Sequence, residues 1–177
     1  MKKFLFVFFP MFAVLIYSCN NSTSNSMSDQ SAANKAKTQR FYDEVINAHN
    51  IAMIDSFCTA DFVDHNPDQG HSGKGIDDLK AQFTQMFTAF PDAKVNVDFI
   101  VAKGDTVVSY VTMSATNTGS MGAMPATNKS FKITGIDIIV IKDGKATERW
   151  GVFDTMSMMS QLGMLPSGDA SKMNDKK

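Results

Sequence analysis

Two cysteines, three histidines and one tryptophan are a thin stock of chemistry-bearing side chains for a chain of 177 residues. Each scarcity removes a class of function. The 17 basic and 18 acidic residues leave a net charge of −1, so the basic surplus that a phosphate backbone demands is missing and nucleic acid is not expected as a partner. The histidines, His49, His65 and His71, show no His-x-x-x-His spacing, and the cysteines no Cys-x-x-Cys, so no metal site is expected. Neither a Gly-x-Gly-x-x-Gly fingerprint nor a Walker loop is present, and no cofactor is expected. Internal repeats are also lacking. The length suits one domain with a substantial core, not two.

Long apolar runs are scarce too, apart from one at the start. "MKKFLFVFFPMFAVLIYSC" opens with Lys2 and Lys3, runs apolar from Phe4 to Ile16, then turns small at Ser18 before Cys19. A spanning helix needs about 20 apolar residues, so this stretch reads as a signal peptide over residues 1–18. Ile16-Tyr17-Ser18-Cys19 resembles the bacterial lipobox, which implies lipidation of Cys19 and a bacterial cell envelope location, with the membrane reached through that lipid. Cys58 is then left alone, and among its apolar neighbours it reads as a small buried hydrophobe. Residues 19–33, almost wholly small and polar, read as a flexible tether holding the domain about 20 Å from the membrane. Residues 166–177 read as a disordered tail, which leaves a folded domain over residues 34–165.

Within that domain the apolar period changes once. "NKAKTQRFYDEVINAHN" places Phe41, Tyr42, Val45, Ile46 and His49 on one side of a helix, and "IAMIDSFCTADF" reads as a second, short one. "ADFVDHNP" alternates as a short strand, and "KGIDDLKAQFTQMFTAF" is a strongly amphipathic third helix stopped before Pro91. Beyond Pro91 the period is two. Two hairpins follow, one around Lys103-Gly104-Asp105 and one around Asp143-Gly144. Helices first and long antiparallel strands after predict an α+β fold: a cone-shaped α+β barrel, with a curved, mostly antiparallel sheet carrying three N-terminal helices on its concave face.

The run "FYDEVINAHN", "DFVDHNP", "GKGIDDLKAQFTQMFTAFPD", "IVAKGDTVVSY" and "TNTGSMGAMPATNKSFKITGIDIIVIKDGKATERWGVFD", closing on "SQLG", resembles a SnoaL-like domain. This is the polyketide, or ester, cyclase group of the nuclear-transport-factor-2-like superfamily, and the likeness covers residues 41–163 in order. It implies that Asp154, in a Trp-x-x-x-Asp pattern, is a general acid/base, and that His65 points into the same cavity. It also implies a homodimer. The glycine usual in one loop is replaced by Asn128, which tolerates a left-handed backbone.

Spacing supplies a site of its own. Strand alternation puts Glu148, Trp150, Val152 and Asp154 on one face. If Asp143-Gly144 is a two-residue turn, Lys142 pairs with Lys145, and Asp137 falls opposite Trp150 among Ile133, Ile139 and Ile141. A three-residue loop would shift that register by one. The catalytic candidates are therefore Asp154 and His65, and the substrate-binding candidates Trp150, Asp137 and Tyr42. The partner is a small apolar or carbonyl-containing molecule. Asp154 is also a favoured helix N-cap before "TMSMMSQLG", His65 could brace the turn at Asn66-Pro67, and Asp137 could face solvent. Three functions stay open: cofactor-independent acid/base chemistry as an ester cyclase or isomerase, capture of a small apolar ligand without turnover, and a dimeric interaction module.

Overall fold

The computed structural model describes residues 22–120, 122 and 125–165. The expected signal peptide, the lipidation site at Cys19 and the tail over 166–177 lie outside the described residues. Helix α1 (Ser22–Phe41) runs directly into a π-helical turn, Tyr42–Ile46. A 3-10 turn (Ile51–Met53) leads into the one-turn helix α2 (Ile54–Phe57). Then come β1 (Cys58–Asp64), α3 (Ile76–Ala89), β2 (Lys94–Lys103), β3 (Thr106–Thr116), β4 (Ser130–Lys142), β5 (Lys145–Phe153) and α4 (Thr155–Leu162).

The strands form one five-stranded sheet in the order β1-β5-β4-β3-β2. All neighbours are antiparallel except β1, which runs parallel to β5. The α+β class and the mostly antiparallel sheet match the sequence reading; the barrel does not. β1 and β2 are free edges of an open sheet, so nothing closes it. The expectation of three N-terminal helices also fails. Four α-helices are described, with π and 3-10 turns besides, and α4 follows the last strand. The second helix is shorter than its apolar spacing suggested, because Cys58 is already extended (φ −114°, ψ 157°) and opens β1.

The polar run expected to be a tether is helical from Ser22 onward. Its own composition does not explain this, since it lacks an apolar stripe. Tertiary hydrogen bonds do: Asn34 Nδ2 donates to the Gly104 carbonyl (2.9 Å) and the Gly104 N–H to Ser31 Oγ (3.0 Å), fixing α1 on the β2–β3 turn.

One face of the sheet carries the core. α1 packs against β2 and β3, α3 against β1, and α4 against β4. Alternation on β4 is strict, with Phe131, Ile133, Gly135, Asp137, Ile139 and Ile141 buried and the residues between them largely exposed. Asn128 adopts φ 57°, the left-handed backbone its residue type allows. The other face stays apolar yet open, with Phe99, Val101, Ile136, Ile138 and Val152 all exposed.

A buried acid–arginine cluster at a cavity floor

The Asp143-Gly144 turn has the two-residue geometry read from the sequence, with Lys142 paired to Lys145. Two residues later the register slips. Ile141 pairs with Ala146 but Val140 with Glu148, so Thr147 is an extra residue in β5, a β-bulge. One added residue inverts every side chain beyond it. Asp137 therefore faces Gly151, and Trp150 pairs with Ile138 on the opposite side of the sheet. The expectation that Asp137, Trp150 and Asp154 share a surface is thus corrected. Asp137 is on the helix-covered face, and Arg149 is brought there beside it.

Arg149 organises this spot. Its Nε donates to Asp137 Oδ1 and its Nη1 to Asp64 Oδ2, each at 2.7 Å. The acid side chains are only 5% and 1% exposed, that of Arg149 25%. The remaining oxygens are also used: Asp137 Oδ2 accepts the Tyr42 hydroxyl (2.8 Å) and Asp64 Oδ1 the Asn66 N–H (3.0 Å). Burial alone would make Arg149 easier to deprotonate, but the Asp137 and Asp64 carboxylates outweigh it and hold the guanidinium more firmly charged than usual. Burial first, and Asp137 second, push the Tyr42 phenol far above its ordinary value, so it serves as a neutral donor.

Local sequence makes room for the cluster. A Cβ on Gly151 would lie 2.2 Å from Arg149 Nη2 and 2.9 Å from Asp137 Oδ1, so a side chain at 151 would displace the guanidinium from this position. Tyr42 opens the π-helical turn, where Asn47 N–H bonds the Tyr42 carbonyl at 2.8 Å. That wider turn carries three buried side chains, Tyr42, Val45 and Ile46, toward the sheet.

Above the cluster lies a cavity of about 60 Å³. Tyr42, Asp137 and Arg149 form its polar floor. Phe41, Phe57, Phe62, Leu79, Phe83 and the two β4 isoleucines, Ile139 and Ile141, form apolar walls. Cys58 lines it as well, and burial pushes its thiol up to about 12, against the opposing pull of Lys145 and Lys37. The thiol is inert packing, as its neighbours suggested. Space of this size holds about four to six water-sized groups.

The five candidates thus separate. Tyr42 and Asp137 meet in the cavity. His65 and Trp150 meet elsewhere: their rings stack at 4.1 Å and 3° on the far side of the sheet, with His65 Nε2 3.0 Å from Glu148 Oε2. Asp154 is exposed and caps α4, its carboxylate accepting from the Ser157 N–H (3.0 Å) and hydroxyl (2.6 Å), which hold its pKa below the ordinary carboxylate range. Neither Asp154 nor His65 lines the cavity. Arg149 and Asp64 were missed. The signal for Arg149 lay in Gly151, a glycine inside a strand run, which marks a close approach.

A family model described as SnoaL-like polyketide cyclase matches residues 36–162. Among solved structures, TsrD from Streptomyces laurentii is 25% identical with a TM-score of 0.68, covering 76% of this chain and 97% of that one. AclR from Streptomyces galilaeus is 26% identical, TM-score 0.65, with 76% and 98% covered. A Bacillus cereus protein is 25% identical, TM-score 0.65, with 76% and 83% covered. None of the curated proteins matches. Fold, strand order and a family match over most of the chain converge: the chain belongs to the SnoaL-like polyketide cyclase family.

Proposed function

We propose that this is an envelope-anchored protein whose cavity performs cofactor-independent acid/base chemistry on a small carbonyl compound. The observation that carries this reading is the pairing of Asp137 and Arg149 at the floor of an apolar cavity. A carbonyl oxygen seated by Arg149 would lie beside a fixed positive charge as it takes on the negative charge of an enolate, and donors already in place need no reorganisation. Asp137 would take the proton from the adjacent carbon. Each of its oxygens has accepted one hydrogen bond, and a carboxylate oxygen has a second lone pair. This assigns to Asp137 and Arg149 the roles that the sequence placed on Asp154 and His65.

Proton exchange of 2-pentanone in D2O, followed by NMR, tests the proposal without knowledge of the natural substrate. The wild-type protein should accelerate exchange beside the carbonyl. Asp137→Asn should reduce that acceleration by about 100-fold or more, while Asp154→Asn should leave it intact. Equal exchange in Asp137→Asn and wild type would remove Asp137 from the chemistry.

One observation favours a second reading, capture without turnover. Both Asp137 oxygens and both Asp64 oxygens are already occupied by donors of the fold, a fully paired network that can be purely structural. Binding of 2-pentanone with no accelerated exchange is its signature. The envelope location rests on the lipobox-like stretch ending at Cys19; Cys19→Ala should release the protein from the membrane fraction of expressing cells, and continued membrane association would count against lipidation.

A further inference from the structure

The cavity has a second charged feature, at the end away from Asp137. Lys37 lines it from α1, one position before the buried Thr38. Its Nζ lies 5.8 Å from the centre of the Phe57 ring and beside the Gly144 turn. Nearby cations are spoken for: Arg40 pairs with Glu44 at 2.7 Å, Lys80 with Asp55 at 2.7 Å, and Lys145 donates to the Asp55 carbonyl at 2.9 Å. Among the described residues Lys37 has no ion-pair or hydrogen-bond partner. An ammonium set in an apolar lining without a counter-charge is a place where an anion is favoured.

The two polar ends are separated along the same elements. Asp137 and Ile141 both line the cavity on β4, four residues apart, which is about 13 Å at roughly 3.3 Å per residue. Lys37 and Tyr42 are five residues apart on the helical stretch, about 8 Å of axial rise. Tyr42 bonds Asp137, so Lys37 belongs to the Ile141 end. The walls between are apolar.

We infer that the ligand is a short-chain oxo-carboxylic acid, its carbonyl at Arg149, its carboxylate at Lys37, with a short apolar spacer between. This rests on the cavity being the ligand site, as proposed above. A single unpaired ammonium matches a single negative charge, so a monocarboxylate fits where a phosphate dianion would leave charge unbalanced. The cavity takes about four to six water-sized groups, which suits the spacer and carbonyl, with the carboxylate at the mouth.

The test compares 6-oxoheptanoate with 2-heptanone, the same ketone lacking the carboxylate, by calorimetric titration of the wild-type protein, Lys37→Met and Lys37→Arg. Wild type should prefer 6-oxoheptanoate about tenfold, a charge-assisted hydrogen bond of ordinary strength. Lys37→Met should erase that preference, read as the ratio of the two affinities within each variant, and Lys37→Arg should restore it. Equal affinity for the two compounds in wild type, or a preference that survives Lys37→Met, overturns the inference and spares the cavity. Failure of both compounds to bind wild type overturns the cavity reading itself.

Discussion

Arg149 stands between two acids that have almost no access to water. Its guanidinium bonds both acids, and each acid has a second donor completing its shell. Such an arrangement need not add stability over an apolar replacement of the whole set, but removing one partner is costly. Arg149→Met should therefore lower the unfolding free energy by about 3 kcal/mol or more, as measured by urea denaturation. Adding Asp64→Asn and Asp137→Asn to that variant should recover a large part of the loss. A single variant as stable as wild type would mean the acids find other partners. Asp154 offers the contrast: its work is at the start of α4, so Asp154→Ala should lower the melting temperature modestly and leave the cavity untouched.

At the level of elements, the loop between β1 and α3 is tied to α3 by His71, Asp78, Gln82 and Gln85. His71 Nδ1 lies 3.2 Å from Asp78 Oδ1, and its Nε2 2.9 Å from Gln85 Oε1. Asp78 also accepts the Gly73 N–H at 2.8 Å. The bond to Gln85 raises His71 above its ordinary value, with Asp78 and Asp68 adding to it. Burial alone would raise Asp78, but the Gly73 and Ser72 N–H groups and His71 bring it below the usual range. A raised histidine contributes fully below about pH 6.5 and loses its contribution as pH climbs through the folded value. A lowered aspartate contributes above about pH 3.9 and loses it as pH falls through its folded value. The loop should be held most firmly between those limits. Melting temperature should fall from pH 6 to pH 8, and His71→Ala should flatten that limb; an unchanged slope would remove His71 as its cause. The long strands after α3 were legible in the sequence because burial on one face enforces a period of two. Glycine in the Asp143-Gly144 turn fixed the hairpin for the same local reason. What spacing could not give was Thr147. A bulge changes no residue's polarity, yet it exchanged the faces of Arg149 and Trp150 and moved the candidate site from one side of the sheet to the other. Tyr42 and Asp137 were found because each sits in an uninterrupted pattern; Asp64 was missed because a single acid at the end of a short strand gives no sign of its depth.

For the whole molecule, the helix-free side of the sheet is an apolar expanse crossing β2, β4 and β5, with Phe99 at 56% and Val152 at 66% exposed. Isolated exposed apolar residues are unremarkable; a contiguous patch marks an interaction surface. A second copy of this chain is the occupant we favour, in keeping with the homodimer that the family resemblance implies. Light scattering on the purified protein should give twice the chain mass, and Ile138→Lys should reduce it to one; a monomeric wild type would refute the pairing. A different consequence follows from the hydrogen bonds that Ser31 and Asn34 make with Gly104. Anyone shortening the gene to begin at residue 34 would keep the Asn34 bond but remove Ser31, and with it half of the clasp on the β2–β3 hairpin beside an outermost strand. Such a clipped product would emerge with a loosened rim prone to sticking to its neighbours, so expression clones are best started at or before Ser22.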